Sequence, residues 1–154
     1  MGAYRESVRG ILPVQSKNGQ KKIILMHRIK NGQEYYVVPG GGINEEENHE
    51  TALIREMEEE INASISVKQL IIEYVSDLYN TIQYFYLCSH EGGEIKNGQG
   101  VEFSHRSNKE NIYEVKEISI NELISINIVP PSIKNILLKI LNEDVPNDKV
   151  TIKE

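Results

Sequence analysis

Between Pro39 and Ala63 the chain reads PGGGINEEENHETALIREMEEEINA, and this stretch limits the fold more than any other. Three consecutive glycines, Gly40 to Gly42, cannot lie inside a helix, so residues 39 to 45 read as a loop. From about Glu47 to Ile61 the apolar residues Ala52, Leu53, Met57 and Ile61 recur at helical spacing. That period predicts an amphipathic helix of about four turns with one face to bury. Any fold for this chain must set that helix directly after the glycine loop and give its inner stripe an apolar partner.

The same helix carries an unusual polar face. Glu56, Glu59 and Glu60 stand at i, i+3 and i+4, so their carboxylates project from one side, close together. Like charges at that spacing repel and destabilise the helix unless cations neutralise them. Hard cations such as Mg2+ take oxygen ligands, which makes a metal cage the economical reading. Half of residues 45 to 60 are glutamate, and such a run is ordinarily a solvated face. A solvated face leaves the glycine loop, its offset to Glu47 and the single Arg55 without a purpose.

Those residues carry a resemblance. From Gly41 there are five residues to Glu47 and seven more to Arg55, followed by Glu56, Met57, Glu58, Glu59 and Glu60. This resembles the box of the Nudix hydrolases, MutT-like enzymes, over Gly41 to Ala63. Two positions depart from it: Asn62 stands where the family has glycine, and Ala63 where it has a larger aliphatic residue. Asparagine is the next cheapest residue in the left-handed conformation that ends a helix, so Asn62 suits the same backbone task.

The resemblance implies a divalent-metal-dependent hydrolase that cleaves a phosphoanhydride bond in a nucleoside diphosphate linked to another moiety, by attack of metal-activated water. It also implies Mg2+, with Mn2+ as a substitute, held by Glu56, Glu59, Glu60 and the backbone carbonyl of Gly40. Gly41, Glu47 and Arg55 take structural roles, the arginine bridging carboxylates to hold the loop against the helix. A further glutamate outside the box acts as ligand or base in many members; Glu102 is the first candidate and Glu114 the second. Arg28 and Lys30, at the end of the strand before the loop, are candidates for substrate phosphate, and His105 for a base or substrate contact. The alternative is a catalytically idle Nudix-fold module that binds a nucleotide.

Composition narrows the partners. A net charge of −6 disfavours binding to polymeric nucleic acid through charge attraction, whereas metal ions would reverse the sign of an acidic site. Cys88 is the one cysteine, so an intramolecular disulfide is impossible and a reducing compartment is expected. No apolar leader opens the chain and no run is long enough to span a bilayer, so a cytoplasmic protein without membrane contact is expected. A homodimer and a monomer both remain open.

Along the chain, Asn18-Gly19 and Asn31-Gly32 are hairpin signals. They separate strands expected at Val8 to Val14, Lys22 to Ile29 and Tyr35 to Val38, with Pro13 marking an edge or bulge. Further strands are expected at Val67 to Val75, Thr81 to His90 and Ile112 to Ile118. A short helix follows at Ile120 to Ser125, and a last one opens at Pro130-Pro131 and runs to Leu141. The pattern predicts an α/β/α sandwich with a mixed sheet, one domain over residues 1–142, and a flexible polar tail over 143–154. Tyr35, Tyr36, Tyr84 and Tyr86 are candidates for stacking on a base, though strand tyrosines are more often core.

Overall fold

The computed structural model describes residues 3–98 and 111–154. Two sheets share the chain. The first is mixed and five-stranded, in the order β5 (Gly40–Gly42), β1 (Arg5–Ile11), β7 (Thr81–Gly92), β6 (Ser64–Ser76), β9 (Val150–Lys153). Within it β1 runs parallel to β7 and β6 parallel to β9, while the other pairs are antiparallel. The second sheet is antiparallel and has four strands. Its centre is β3 (Lys21–Lys30), paired with β2 (Pro13–Gln15), β4 (Gln33–Val37) and β8 (Ile112–Ser119). Helices α1 (His49–Ile61), α2 (Ile120–Ser125) and α3 (Lys134–Leu141) complete it, with a 3-10 turn at Pro131–Ile133 before the last.

The strand expected over Val8 to Val14 is two strands in two sheets. The chain leaves the first sheet after Ile11 and enters the second at Pro13. Proline has no N–H for a ladder, so the switch falls where pairing is weakest. The carbonyl of Leu12 still accepts from the Ile24 N–H at 3.1 Å, which ties the corner to β3. Asn31 and Gly32 both have positive φ, 52° and 78°, as a tight hairpin between β3 and β4 requires.

Alternation along β3 separates two cores. Ile23 and Leu25 pack with Ile11, Phe85, Leu123 and Leu137, on the side of α2 and α3. Ile24 and Met26 pack with Val8 and with Ala52, Leu53, Met57 and Ile61 of α1. The helical stripe read from the sequence is thus the buried face of α1, and each of its large side chains contributes about 2 kcal/mol by leaving water. Cys88 belongs to this second core, and burial pushes its thiol up to about 12, which leaves it a packing residue.

The flexible tail expected over residues 143–154 is a strand for part of its length. Val150–Lys153 pairs with Ile72 to Val75 of β6, and Ile152 packs against the first core. The Lys149 ammonium meets Glu73, and the Tyr74 hydroxyl donates to Glu154. Four residues of a polar segment give too short a period to reveal a strand before its partner is known. No helix among the described residues is long and apolar enough to cross a membrane.

Candidate active site

Helix α1 begins two residues later than Glu47. Asn48 caps it, its side-chain oxygen accepting from the Thr51 N–H at 2.8 Å. Glu47, set just ahead of the cap, turns back to the loop and accepts from the Asn44 N–H at 2.8 Å. At the other end Asn62 is left-handed (φ 58°, ψ 32°), and its N–H reaches the Glu58 carbonyl at 3.0 Å. The Asn62 side chain also donates to the Glu94 carbonyl at 2.9 Å, a contact across 32 residues that local sequence does not announce.

A third Asn-Gly pair, Asn97-Gly98, docks beneath this helix end. Lys96 and Gly98 donate their backbone N–H groups to the Ile61 and Glu60 carbonyls, each at 3.0 Å. These bonds satisfy acceptors that a helix end otherwise leaves to water. A β-carbon at residue 98 would lie 1.9 Å from the Glu59 carbonyl oxygen, so only glycine fits. The turn bearing Glu59 and Glu60 is therefore held from below.

Arg55 joins loop and helix. Its Nε and Nη2 hold both oxygens of Glu47 at 2.7 and 2.8 Å; Nη1 reaches Glu56 at 3.0 Å and Glu59 at 3.2 Å. Nη2 also donates to the Gly42 carbonyl at 3.1 Å. These hydrogen bonds, to Glu47 first, raise the Arg55 pKa above its ordinary value and hold the Glu47 carboxyl down to about 2. A folded value below the ordinary 4.5 means the stabilisation is complete above about pH 4.5 and is lost as pH falls toward 2. Glu47→Gln should accordingly melt below the wild type at neutral pH, with the gap closing as pH drops from about 4.5 to about 3. A gap that stays constant over that range would show that Glu47 acts through packing and not through its charge.

Glu56, Glu59 and Glu60 share one face of α1, as the spacing predicts, with Glu56 and Glu60 buried and Glu59 exposed; Glu58 is exposed. Glu60 accepts from the Tyr113 hydroxyl at 2.8 Å. Among the described residues no three carboxylates, imidazoles or thiols already converge at metal-ligating positions. Arg55 bonds Glu56 and Glu59 and Tyr113 bonds Glu60, so each of the three carboxylates is oriented by a neighbour on a fixed helix. The donor chemistry suits a hard divalent ion: all oxygen, anionic, and on one turn beside the glycine loop. Gly41 leaves the room, since a β-carbon there would lie 2.5 Å from the Glu56 carboxylate.

A cleft of about 590 Å3 opens beside Gly40, Gly41 and Gly42. Arg5, Arg9 and Arg28 line it together with Gln83, Tyr35 and Tyr113. Burial lowers the pKa of the Arg9 guanidinium, and Tyr113, Glu60 and Glu56 oppose that effect. Arg9 donates to Gln83 at 3.2 Å and to the Val38 carbonyl at 3.3 Å. Arg28, read from the sequence as a phosphate candidate, is in the cleft; Lys30 is exposed at the end of β3, opposite Gln33, and does not line it. Arg5 and Arg9 escape the sequence reading. Their signal is the alternation Arg5, Ser7, Arg9, three polar residues on one face of a strand whose other face carries the buried Val8 and Gly10.

Other candidates fall elsewhere. Glu114 faces His27, with Nδ1 at 3.2 Å, and pairs with Lys116; successive strand residues point to opposite faces, so it lies away from Tyr113 and Glu60. Glu102 and His105 lie outside the described residues. Tyr84 and Tyr86 pack around His49, which bonds the Tyr86 hydroxyl at 2.7 Å, and Tyr36 stacks on His27. Of the four tyrosines, Tyr35 lines the cleft.

The fold agrees with known proteins. The family model for the NUDIX domain matches residues 5–137. A NUDIX hydrolase from Nitrosomonas europaea superposes with a TM-score of 0.70 at 18% identity, over 100% of this chain and 81% of that one. An ADP-ribose pyrophosphatase from Streptococcus suis gives 0.61 at 15%, over 99% and 100% of the two chains. The MutT protein of Methanosarcina mazei Go1 gives 0.61 at 16%, over 92% and 95%. At such identities these likenesses speak to fold alone, and a comparison with curated proteins finds no match. The family model spans β1 through the first half of α3 and contains the whole Gly41 to Ala63 spacing, so the chain belongs to the Nudix hydrolase family.

Proposed function

We propose that this protein is a divalent-metal-dependent pyrophosphohydrolase that cleaves a phosphoanhydride bond in a nucleoside diphosphate linked to another moiety. One observation carries the reading: three guanidinium groups, Arg5, Arg9 and Arg28, line a cleft with Gly40 to Gly42 and Tyr113, and Gly41 and Tyr113 in turn stand against Glu56 and Glu60 of α1. Arginines in the cleft and carboxylates behind its glycine loop suit a metal-bound diphosphate, whose oxygens need both arginine donors and a neutralising cation. Glu56, Glu59, Glu60 and the Gly40 carbonyl would hold Mg2+, with Mn2+ as a substitute. When bound, such an ion lowers the pKa of its water and neutralises charge on the phosphate oxygens.

The chain's own residues do the rest. Arg28 and Arg9 bind and orient phosphate, while Arg55 keeps Glu56 and Glu59 in register with the loop. Glu102 remains the candidate for the base. The substrate is a small nucleotide-type molecule, in keeping with the ADP-ribose in the name of the Streptococcus suis relative. A cytoplasmic enzyme with one domain over residues 1–142 accompanies this reading.

The test is a panel of nucleoside triphosphates, dinucleoside polyphosphates, nucleotide sugars and ADP-ribose, assayed with Mg2+ for released phosphate, pyrophosphate or nucleotide. Excess EDTA should abolish turnover and added Mg2+ or Mn2+ restore it, with activity favouring mildly alkaline pH where a metal-bound water deprotonates more readily. Undiminished turnover in EDTA would sink the proposal.

A further inference from the structure

Strand register sets Arg28 between two aromatic residues, opposite Tyr35 on β4 and Tyr113 on β8. Its guanidinium carbon lies 4.6 Å from the centroid of the Tyr113 ring. Its Nε is buried and, among the described residues, has no hydrogen-bond partner. A buried donor left without an acceptor is costly, and here it belongs to a residue lining an open cleft, where a ligand can supply one. At the far end of the same ring, the Tyr113 hydroxyl donates to Glu60 Oε2 at 2.8 Å. Glu60 is itself only 3% exposed.

We infer that Tyr113 is a positioning residue that couples the two halves of the site: its hydroxyl orients the Glu60 carboxylate for a divalent cation, and its ring holds the Arg28 guanidinium with Nε–H turned to a phosphate oxygen. The coupling rests on the reading of the cleft given above. A hydroxyl bound to one carboxylate oxygen restricts the rotation of Glu60 and so fixes the direction in which the carboxylate meets a cation. An aromatic face under a guanidinium favours one plane for it, which aims donors that would otherwise sweep a cone. Tyr113 also packs against the core beneath α1, and that role alone would call for neither the hydroxyl nor the stacking.

Two variants separate these roles. Tyr113→Phe keeps the ring and loses the hydroxyl; Tyr113→Leu loses both, with Tyr113→Ile, a better strand former, in its place should the leucine variant not fold. Two probes are titrated into each protein: Mn2+ alone, read by electron paramagnetic resonance, and inorganic pyrophosphate in metal-free buffer, read by calorimetry. Tyr113→Phe should weaken Mn2+ binding by about tenfold and leave pyrophosphate binding within about twofold. The aliphatic variant should weaken Mn2+ equally and pyrophosphate by about fivefold besides. Wild-type Mn2+ affinity in Tyr113→Phe overturns the hydroxyl's role, and wild-type pyrophosphate affinity in the aliphatic variant overturns the ring's. Should the wild type itself bind neither probe, the reading of the cleft fails and the coupling falls with it; binding by the wild type with indifferent variants overturns the coupling alone.

Discussion

Glu59→Gln and Glu60→Gln should each lower turnover by about a thousandfold, while the neighbouring Glu58→Gln changes it by less than about threefold. The three residues are adjacent and equally charged, so composition cannot distinguish them. Helix geometry does, since each residue turns about 100° and Glu58 leaves the face that Glu56, Glu59 and Glu60 share. Glu58 is exposed, and a solvated surface charge contributes little. Glutamine keeps the size of the Glu60 side chain and an oxygen to accept from the Tyr113 hydroxyl, so that variant removes charge with little change in packing. Steady-state kinetics at saturating Mg2+, with melting temperatures alongside, make the comparison. Equal kinetics for all three variants would remove the basis for calling this helix an active-site element.

The three consecutive glycines should respond to alanine in three different ways. Gly40 has φ of +152°, and a β-carbon there would lie 2.0 Å from the Val8 carbonyl oxygen and 2.8 Å from Arg9 Cα. Both obstacles are backbone, so β1 and β5 must part. Strain and overpacking together put Gly40→Ala at about 4 kcal/mol of lost stability, or roughly 10 °C in melting temperature for a chain of this size. Gly41→Ala meets only the Glu56 carboxylate, at 2.5 Å, which can swing aside; its loss should fall on activity more than on stability. Gly42→Ala meets nothing within 4 Å and should stay within about 0.5 kcal/mol of the wild type. Similar melting temperatures for all three would show that β5 is not seated against β1 as described.

Much of α1 was legible in advance because its information is local. Ala52, Leu53, Met57 and Ile61 mark the buried stripe through a 3.6-residue period, and Asn62 ends the helix through its own backbone preference. Hairpin turns at Asn18-Gly19 and Asn31-Gly32 are equally local. The same rule misleads at Asn97-Gly98, where the pair serves a helix end distant in sequence. It is silent about β9, whose four residues make sense only beside β6.

By itself, then, the sequence determined the family, the glycine loop, the helix after it and the one face on which three glutamates gather. Tertiary structure alone decided what lines the cleft beside the glycine loop. Arg5 and Arg9 come from the first sheet, Arg28, Tyr35 and Tyr113 from the second, and Glu114 is turned away although it follows Tyr113 directly. The physical reason is the range of the forces involved. Periodicity, capping and turn preference act over a few residues and leave their mark in the string, whereas a cleft between sheets is assembled by burial, which has no sequence range of its own.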